Sequence, residues 1–322
     1  MSEPDLPATT AAPVPPDLGR GGGPDAQLLS VAVDAGEVQA IAPSWKLALR
    51  EFLDNRLAVA GFAVIVFFVL FCFVGPLLYH TNQTVTNLLF VNQPPSGAHP
   101  LGTDQNGFDE LGRIMKGGQA SLEVGFLASL MATVIGTVWG AVAGLAGGII
   151  DAAMMRIVDA LLSIPFLFIV LVVATKLSGT VLEMSLLLGF FSWLVPSRLV
   201  RGEVLSLRTR DFVAAARVMG AKRTRIALRH LIPNALSVVI VNITFQIADA
   251  ILALAYLGFL GFGLTPPATS WGDMLGNASQ NIASGYWWLV YPVGGCLVLV
   301  VLAANVIGDG LRDALDVRLR RR

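Results

Sequence analysis

Charged and chemistry-bearing side chains are what this chain has least of. Asp, Glu, Lys and Arg make up 14% of its 322 residues, against 55% hydrophobic. That balance falls outside the range of soluble domains. Histidine occurs three times, at His80, His99 and His230, and cysteine twice, at Cys72 and Cys296. The histidines are scattered and form no H-E-x-x-H pair. The cysteines sit singly inside apolar runs, so they offer neither a zinc-ligand spacing nor a disulfide frame and read as small core residues. No G-x-x-x-x-G-K-[ST] phosphate loop is present. The chain therefore carries no constellation for metal binding, nucleotide hydrolysis or nucleophilic catalysis. A signal peptide is also missing, because no basic stretch leads straight into an apolar one. Residues 1–43 are instead acidic and rich in Pro, Gly and Ala, with too few patterned apolar residues to build a core, and read as a disordered tail.

Long uncharged runs are what the chain does have. Six are long enough to cross a bilayer, at about 57–78, 122–146, 157–174, 181–200, 235–257 and 286–307. They predict an all-α membrane protein with six transmembrane helices. Four parts follow: the tail, 1–43; an amphipathic segment, first span and outer loop, 44–118; the main membrane domain, 119–310; and a basic C-terminal tail, 311–322. In the amphipathic segment Trp45, Leu47, Leu49, Phe52 and Leu53 oppose Lys46, Arg50 and Glu51, which suits the membrane surface. Span two carries Ala128, Ala132, Gly136, Gly140, Gly144 and Gly148 at every fourth position, a small-residue stripe that admits a close neighbour. Arg156 and Asp159 stand three apart, in reach of each other on a helix. Tyr286, Trp287, Trp288 and Tyr291 form an interfacial aromatic cluster at the entry to span six. With both termini inside, 19 of the 22 Lys and Arg fall in inner segments, leaving Arg113, Lys116 and Lys176 outside. The positive-inside rule then places both termini and the central loop in the cytoplasm. Topology alone accounts for the basic residues, so they do not argue for nucleic-acid binding.

The longest basic segment between two spans is Asp211–Asn234, DFVAAARVMGAKRTRIALRHLIPN. Helix formers run from Phe212 to Met219, Gly220 breaks the run, and a second helix starts near Arg223. A short helix that is small on one side and basic on the other is shaped to dock into a partner's groove. The alternative is an ordinary loop made basic by topology.

Motifs in this and other segments resemble a known family. Ala214-Ala215-Ala216, then Gly220, then His230-Leu231-Ile232-Pro233-Asn234 is similar to the cytoplasmic EAA loop of ATP-binding-cassette import permeases, although Ala214 stands where the family has glutamate. His99-Pro100-Leu101-Gly102-Thr103-Asp104 resembles the outer segment of the dipeptide/oligopeptide branch, which continues G-R-D where this chain has Gly107-Phe108-Asp109. The stretches at Gly147–Asp159, Gly261–Gly272 and Gly308–Asp316 are also similar to that branch, with Val317 where proline is usual. The resemblance covers about Trp45 to Asp316. It implies the C-type permease subunit of a bacterial di- or oligopeptide importer, a multi-pass plasma-membrane protein with the type I ABC importer permease fold and a cytoplasmic coupling helix. It further implies a homologous B-type permease, two cytoplasmic ABC ATPase subunits that bind ATP and Mg, and an external substrate-binding protein. The coupling residues would be Phe212, Ala214, Ala215, Ala216, Arg217, Met219 and Gly220, with no cofactor, metal or catalytic residue in this chain.

Span five holds Asn242, Gln246 and Asp249, spaced four and three apart and so on one helix face. Polar groups in a span usually face a bundle interior or a wet cavity. These three either line the translocation path or bond to a neighbouring helix. The branch usually has a glutamate at the position of Leu254, which leaves the family's substrate contacts without a counterpart here. Other readings are a nickel or small-solute importer of the same family, and an ion channel or secondary transporter working without ATPase partners. A membrane enzyme is a further, less supported reading.

Overall fold

A computed structural model describes residues 44–226, 229 and 231–320. The expectations for the tail 1–43, for His230 and for the last two arginines fall outside the described residues. So do those for the side chains of Arg217, Trp45, Lys46 and Leu47.

The chain is helical from the start of that range. Helix α1 is Ser44–Asp54. Asn55 then breaks it and caps α2, Arg56–Phe73, by accepting the N–H groups of Leu57 and Ala58 at 3.1 Å each. A short α3, Gly75–Leu78, completes the first span. Helix α4 is Glu110–Ala146, 37 residues long. At 1.5 Å per residue it measures about 55 Å, well beyond the roughly 30 Å of bilayer hydrocarbon. Its first turns therefore stand above the membrane. The sequence placed this span's start near Leu122 because Glu110, Arg113, Lys116 and paired glycines read as loop. Instead Glu110, Arg113, Gly117 and Gly118 are buried in the helix, and only Lys116 of that set is exposed.

Two spans are broken. Helices α5, Gly148–Leu162, and α6, Phe166–Ala174, meet at 74° just before and after Pro165. Helices α7, Val181–Ser192, and α8, Leu194–Leu207, meet at 43°. Proline has no N–H, and its ring crowds the carbonyl four residues back. For Pro196 that carbonyl belongs to Ser192, at the α7–α8 break. Next come α9, Asp211–Val218, and α10, Arg223–Ile226. Helix α11, Ile232–Phe259, carries Pro233 in its first turn, where the missing N–H costs nothing. A short outer helix α12, Trp271–Ser279, precedes the last span, α13, Tyr291–Arg320. Four helices are long and apolar enough to cross a membrane unbroken, and the two bent pairs bring the spans to six.

Helix α4 is the axis, with α7, α8 and α11 along it. Its stripe of small residues faces α7 and α8, as the spacing predicted. Ala128, Ala132, Gly136, Gly140 and Gly144 are buried. A Cβ on Gly140 would lie 2.3 Å from the Ser197 carbonyl oxygen and 2.9 Å from the Arg201 nitrogen, so only glycine allows this approach. Gly148 does not belong to the stripe. The chain turns at Gly147, and Gly148 is exposed in the first turn of α5. Asp159 does not pair with Arg156 but crosses to Arg198 on α8. Beside it, Arg201 forks onto Asp151, Nε at 2.5 Å and Nη2 at 2.7 Å. Helices α5 and α8 are thus bolted along their length by two ion pairs, the second a bidentate one with geometric specificity.

Gly140→Ala should lower the stability of the purified protein by about 1–3 kcal/mol through overpacking. Gly202→Ala, where an added Cβ meets nothing within 4 Å, should leave the melting temperature unchanged or slightly raised. Thermal unfolding of the two variants side by side checks the contrast.

Candidate functional site

Three regions bear on function, and the inner one is simplest. Helix α9 turns one side to the bundle, where Val213 and Ala216 are buried with Val204, Leu207, Ile226 and Leu231. The other side carries Ala214, Ala215, Val218 and Met219, with Val218 89% exposed and Met219 81% exposed. Phe212 lies at the start of the helix, partly exposed. The alanine triplet is therefore not one docking face. Ala216 anchors the helix inward, while Ala214 and Ala215 look outward, as helical spacing requires. The helix ends in a Schellman turn: the Ala221 N–H donates to the Ala216 carbonyl at 3.0 Å, and Gly220 takes the left-handed conformation, φ +78°. Arg208, just upstream, donates to the Gly144 carbonyl at the end of α4 at 2.5 Å.

The second region is a cavity of about 620 Å³ in the membrane-spanning part. Both helix breaks face it, through Pro165 on one wall and Ser192 on another, and α11 contributes Asn242, Gln246 and Asp249. The three polar residues of span five do share one cavity, but they play different parts. Gln246 is buried, and its Nε2 donates to the Ser192 carbonyl at 3.1 Å. That is the oxygen Pro196 leaves without a helical partner. An unpaired carbonyl in hydrocarbon costs several kcal/mol by order of magnitude, so Gln246 holds the break together. Asn242 keeps a buried Oδ1 with no hydrogen-bond partner, and Asp249 is exposed toward the cavity. The sequence singled out Gln246 but not its partner, which the i−4 position of Pro196 would have supplied.

The third region is a cap on the outer side, built around His99-Pro100-Leu101-Gly102-Thr103-Asp104. His99 to Gly102 is a β-turn with Pro100 at its second position, closed by the Gly102 N–H on the His99 carbonyl at 2.9 Å. Thr103 is fully buried. Its hydroxyl donates to the Phe90 carbonyl and accepts the Gln93 N–H at 2.8 Å. Asp104 accepts the N–H groups of Asn106 and Phe108 at 2.8 and 2.9 Å. Burial holds the Asp104 carboxyl above its usual range, against the opposing pull of those N–H groups and of Arg113. Asp109 gathers the most. One oxygen caps α4 through the Gly112 N–H at 2.9 Å, and the other meets His99 Nδ1 at 2.9 Å and the Tyr79 hydroxyl at 3.0 Å. Arg113 lies over the Phe108 ring and reaches the Pro267 carbonyl at 3.4 Å.

The cap also takes in part of the aromatic cluster. Trp288 is buried and donates to the Thr103 carbonyl at 3.4 Å, whereas Trp287 and Tyr291 are exposed as interfacial residues would be. Trp271 is fully buried and fastens α12 to α4 by donating Nε1 to the Ile114 carbonyl at 3.0 Å. Among the described residues no group of three or more His, Cys, Asp or Glu is placed to hold a metal ion.

Comparison with known proteins gives a consistent answer. Residues 136–321 match the family described as binding-protein-dependent transport system inner membrane component. Residues 44–95 match the N-terminal TM domain of oligopeptide transport permease C. The chain is 41% identical over 278 residues to the oligopeptide transport system permease protein OppC of Escherichia coli (strain K12), covering 86% of this chain and 92% of that one. It is 34% identical to OppC of Bacillus subtilis (strain 168) over 90% of this chain and 96% of that one. It is 37% identical to the dipeptide transport system permease protein DppC of the same organism, over 85% and 86%.

The cap should depend on Asp109 for its rigidity. Asp109→Leu removes the helix cap and both side-chain partners, a loss of order 1–3 kcal/mol to the segment. Backbone hydrogen exchange over residues 79–112 should speed up at least about tenfold while α11 is unaffected.

Proposed function

The chain belongs to the family of binding-protein-dependent transport system inner membrane components, and on that premise we propose that it is the permease subunit of an ATP-driven importer of di- or oligopeptides. It is a multi-pass inner-membrane protein, and its six-span, all-α architecture is the type I ABC importer permease fold. The peptide cargo follows the relatives, whose names are those of peptide transport permeases, rather than nickel or another small solute.

In this reading the chain forms half of a translocation path and is itself non-catalytic. The other half comes from a homologous B-type permease, ATP and Mg are bound by two cytoplasmic ATPase subunits, and an external binding protein delivers the cargo to the cap. Both termini are cytoplasmic. The observation that carries the coupling role is the two-sided α9, whose Val213 and Ala216 grip the bundle while Ala214, Ala215, Val218 and Met219 stand outward. That outward face fits the groove of an ATPase subunit. When the ATPases close, α9 is displaced, and Arg208 on Gly144 and Arg201 on Asp151 carry the movement to α4 and α5. The cavity beside Asn242 and Asp249 then changes the side to which it opens.

Ala215→Glu places a charge on the outward face without touching the bundle side. Gly220→Pro demands φ near −65° where the chain has +78°. Each variant should insert at normal levels yet lose ATPase co-purification or transport-coupled ATP hydrolysis by at least about tenfold. Wild-type coupling in both, measured in proteoliposomes, would remove the docking role from α9.

A further inference from the structure

A second cavity, of about 360 Å³, lies on the cytoplasmic side of the first and is walled by Leu199, Ser237, Val241, Phe245 and Arg312. Asn242 lines both cavities. Its Oδ1 is buried without a hydrogen-bond partner. The charges are arranged end to end. Asp249 is the charged residue lining the outer cavity, and Arg312 is the charged residue lining the inner one. From Ser237 to Asp249 the α11 face is twelve residues long, about 18 Å at the helical rise. An extended peptide covers about 3.3–3.6 Å per residue, so about five residues span that distance.

We propose that the two cavities form one rail for an extended peptide with free termini, its ammonium end toward Asp249 and its carboxylate end toward Arg312, with Asn242 at the boundary the cavities share. The inference rests on the peptide-permease reading and adds to it an orientation and a length. The physical case is complementarity. A zwitterionic peptide crossing an apolar region carries two charges that are expensive to leave uncompensated. The rail offers one opposite charge at each end. Along the middle its walls are mostly apolar, which admits varied side chains, so recognition falls on the backbone and termini that all peptides share.

The test uses the intact complex in proteoliposomes. Pentapeptides carrying a benzophenone amino acid at the first or the last residue are photo-crosslinked during ATP-driven turnover, and the labelled residues are mapped. The first-residue probe should label α11 near Gln246 to Tyr256, and the last-residue probe should label Ser237 to Val241 or the region of Arg312. In parallel, uptake of a free-acid pentapeptide is compared with that of its C-terminal amide. Arg312→Gln should cut the acid-to-amide uptake ratio by about tenfold relative to wild type, and Arg312→Lys should restore most of it. The binding protein's own preference cancels in that comparison. Reversed labelling, labelling confined to the partner permease, or an unchanged ratio in Arg312→Gln would overturn the rail while leaving peptide transport standing. A complex that hydrolyses ATP but takes up no peptide at all would instead overturn the peptide-permease reading.

Discussion

The contact that the rest of the molecule depends on is the approach of α8 to α4 along the glycine stripe. At Gly140 the backbones are so near that a methyl group would meet a carbonyl oxygen at 2.3 Å. Apolar side chains give no hydrophobic drive in lipid, so helices associate through close packing and a few polar bonds. Small residues supply the packing here, and Asp151 with Arg201 and Asp159 with Arg198 supply the bonds between α5 and α8. Both features act on α8, the helix that leads into α9, and seat it firmly against α4.

A rigid axis alone would not form a cavity. The space beside α11 exists because two neighbouring spans do not run straight, and each break takes backbone groups out of the helical ladder. Pro196 exposes the Ser192 carbonyl and Gln246 bonds it, so the bend is fixed at a definite place. Asn242, one turn earlier on the same face, is given no such partner. One amide thus stabilises the wall, while the other lines the cavity with its carbonyl oxygen unpaired.

Much of this was legible in the sequence, because its strongest signals are local. Apolar length gave the six spans, spacing gave the small-residue stripe, and Gly220 marked the end of α9. The resemblance placed the family and the inner and outer motifs. What escaped depended on contacts between distant segments. Glu110 to Gly118 read as loop because its charges and glycines are loop-like, yet Cys72, Trp271 and Thr81 pack against it and turn it into helix. Asp159 had a partner three residues away by spacing and a better one on α8, and the sequence shows only the first. Ala216 looked equivalent to Ala214 and Ala215 because composition carries no facing. That difference needs the bundle against which Val213 and Ala216 close.

The two ends of the molecule then differ for a physical reason. The outer cap is tied by side chains that are themselves buried, with Thr103, Asp109 and Trp271 each engaged across segments far apart in sequence. Such a network is strong when every member is satisfied and resists partial opening. The inner coupling helix has eight residues and is held through two buried side chains on one side and a glycine turn at its end. A helix that short has little stability of its own and takes it from whatever it packs against. Its place is therefore set by the bundle, whereas the cap holds its own shape through side chains buried within it.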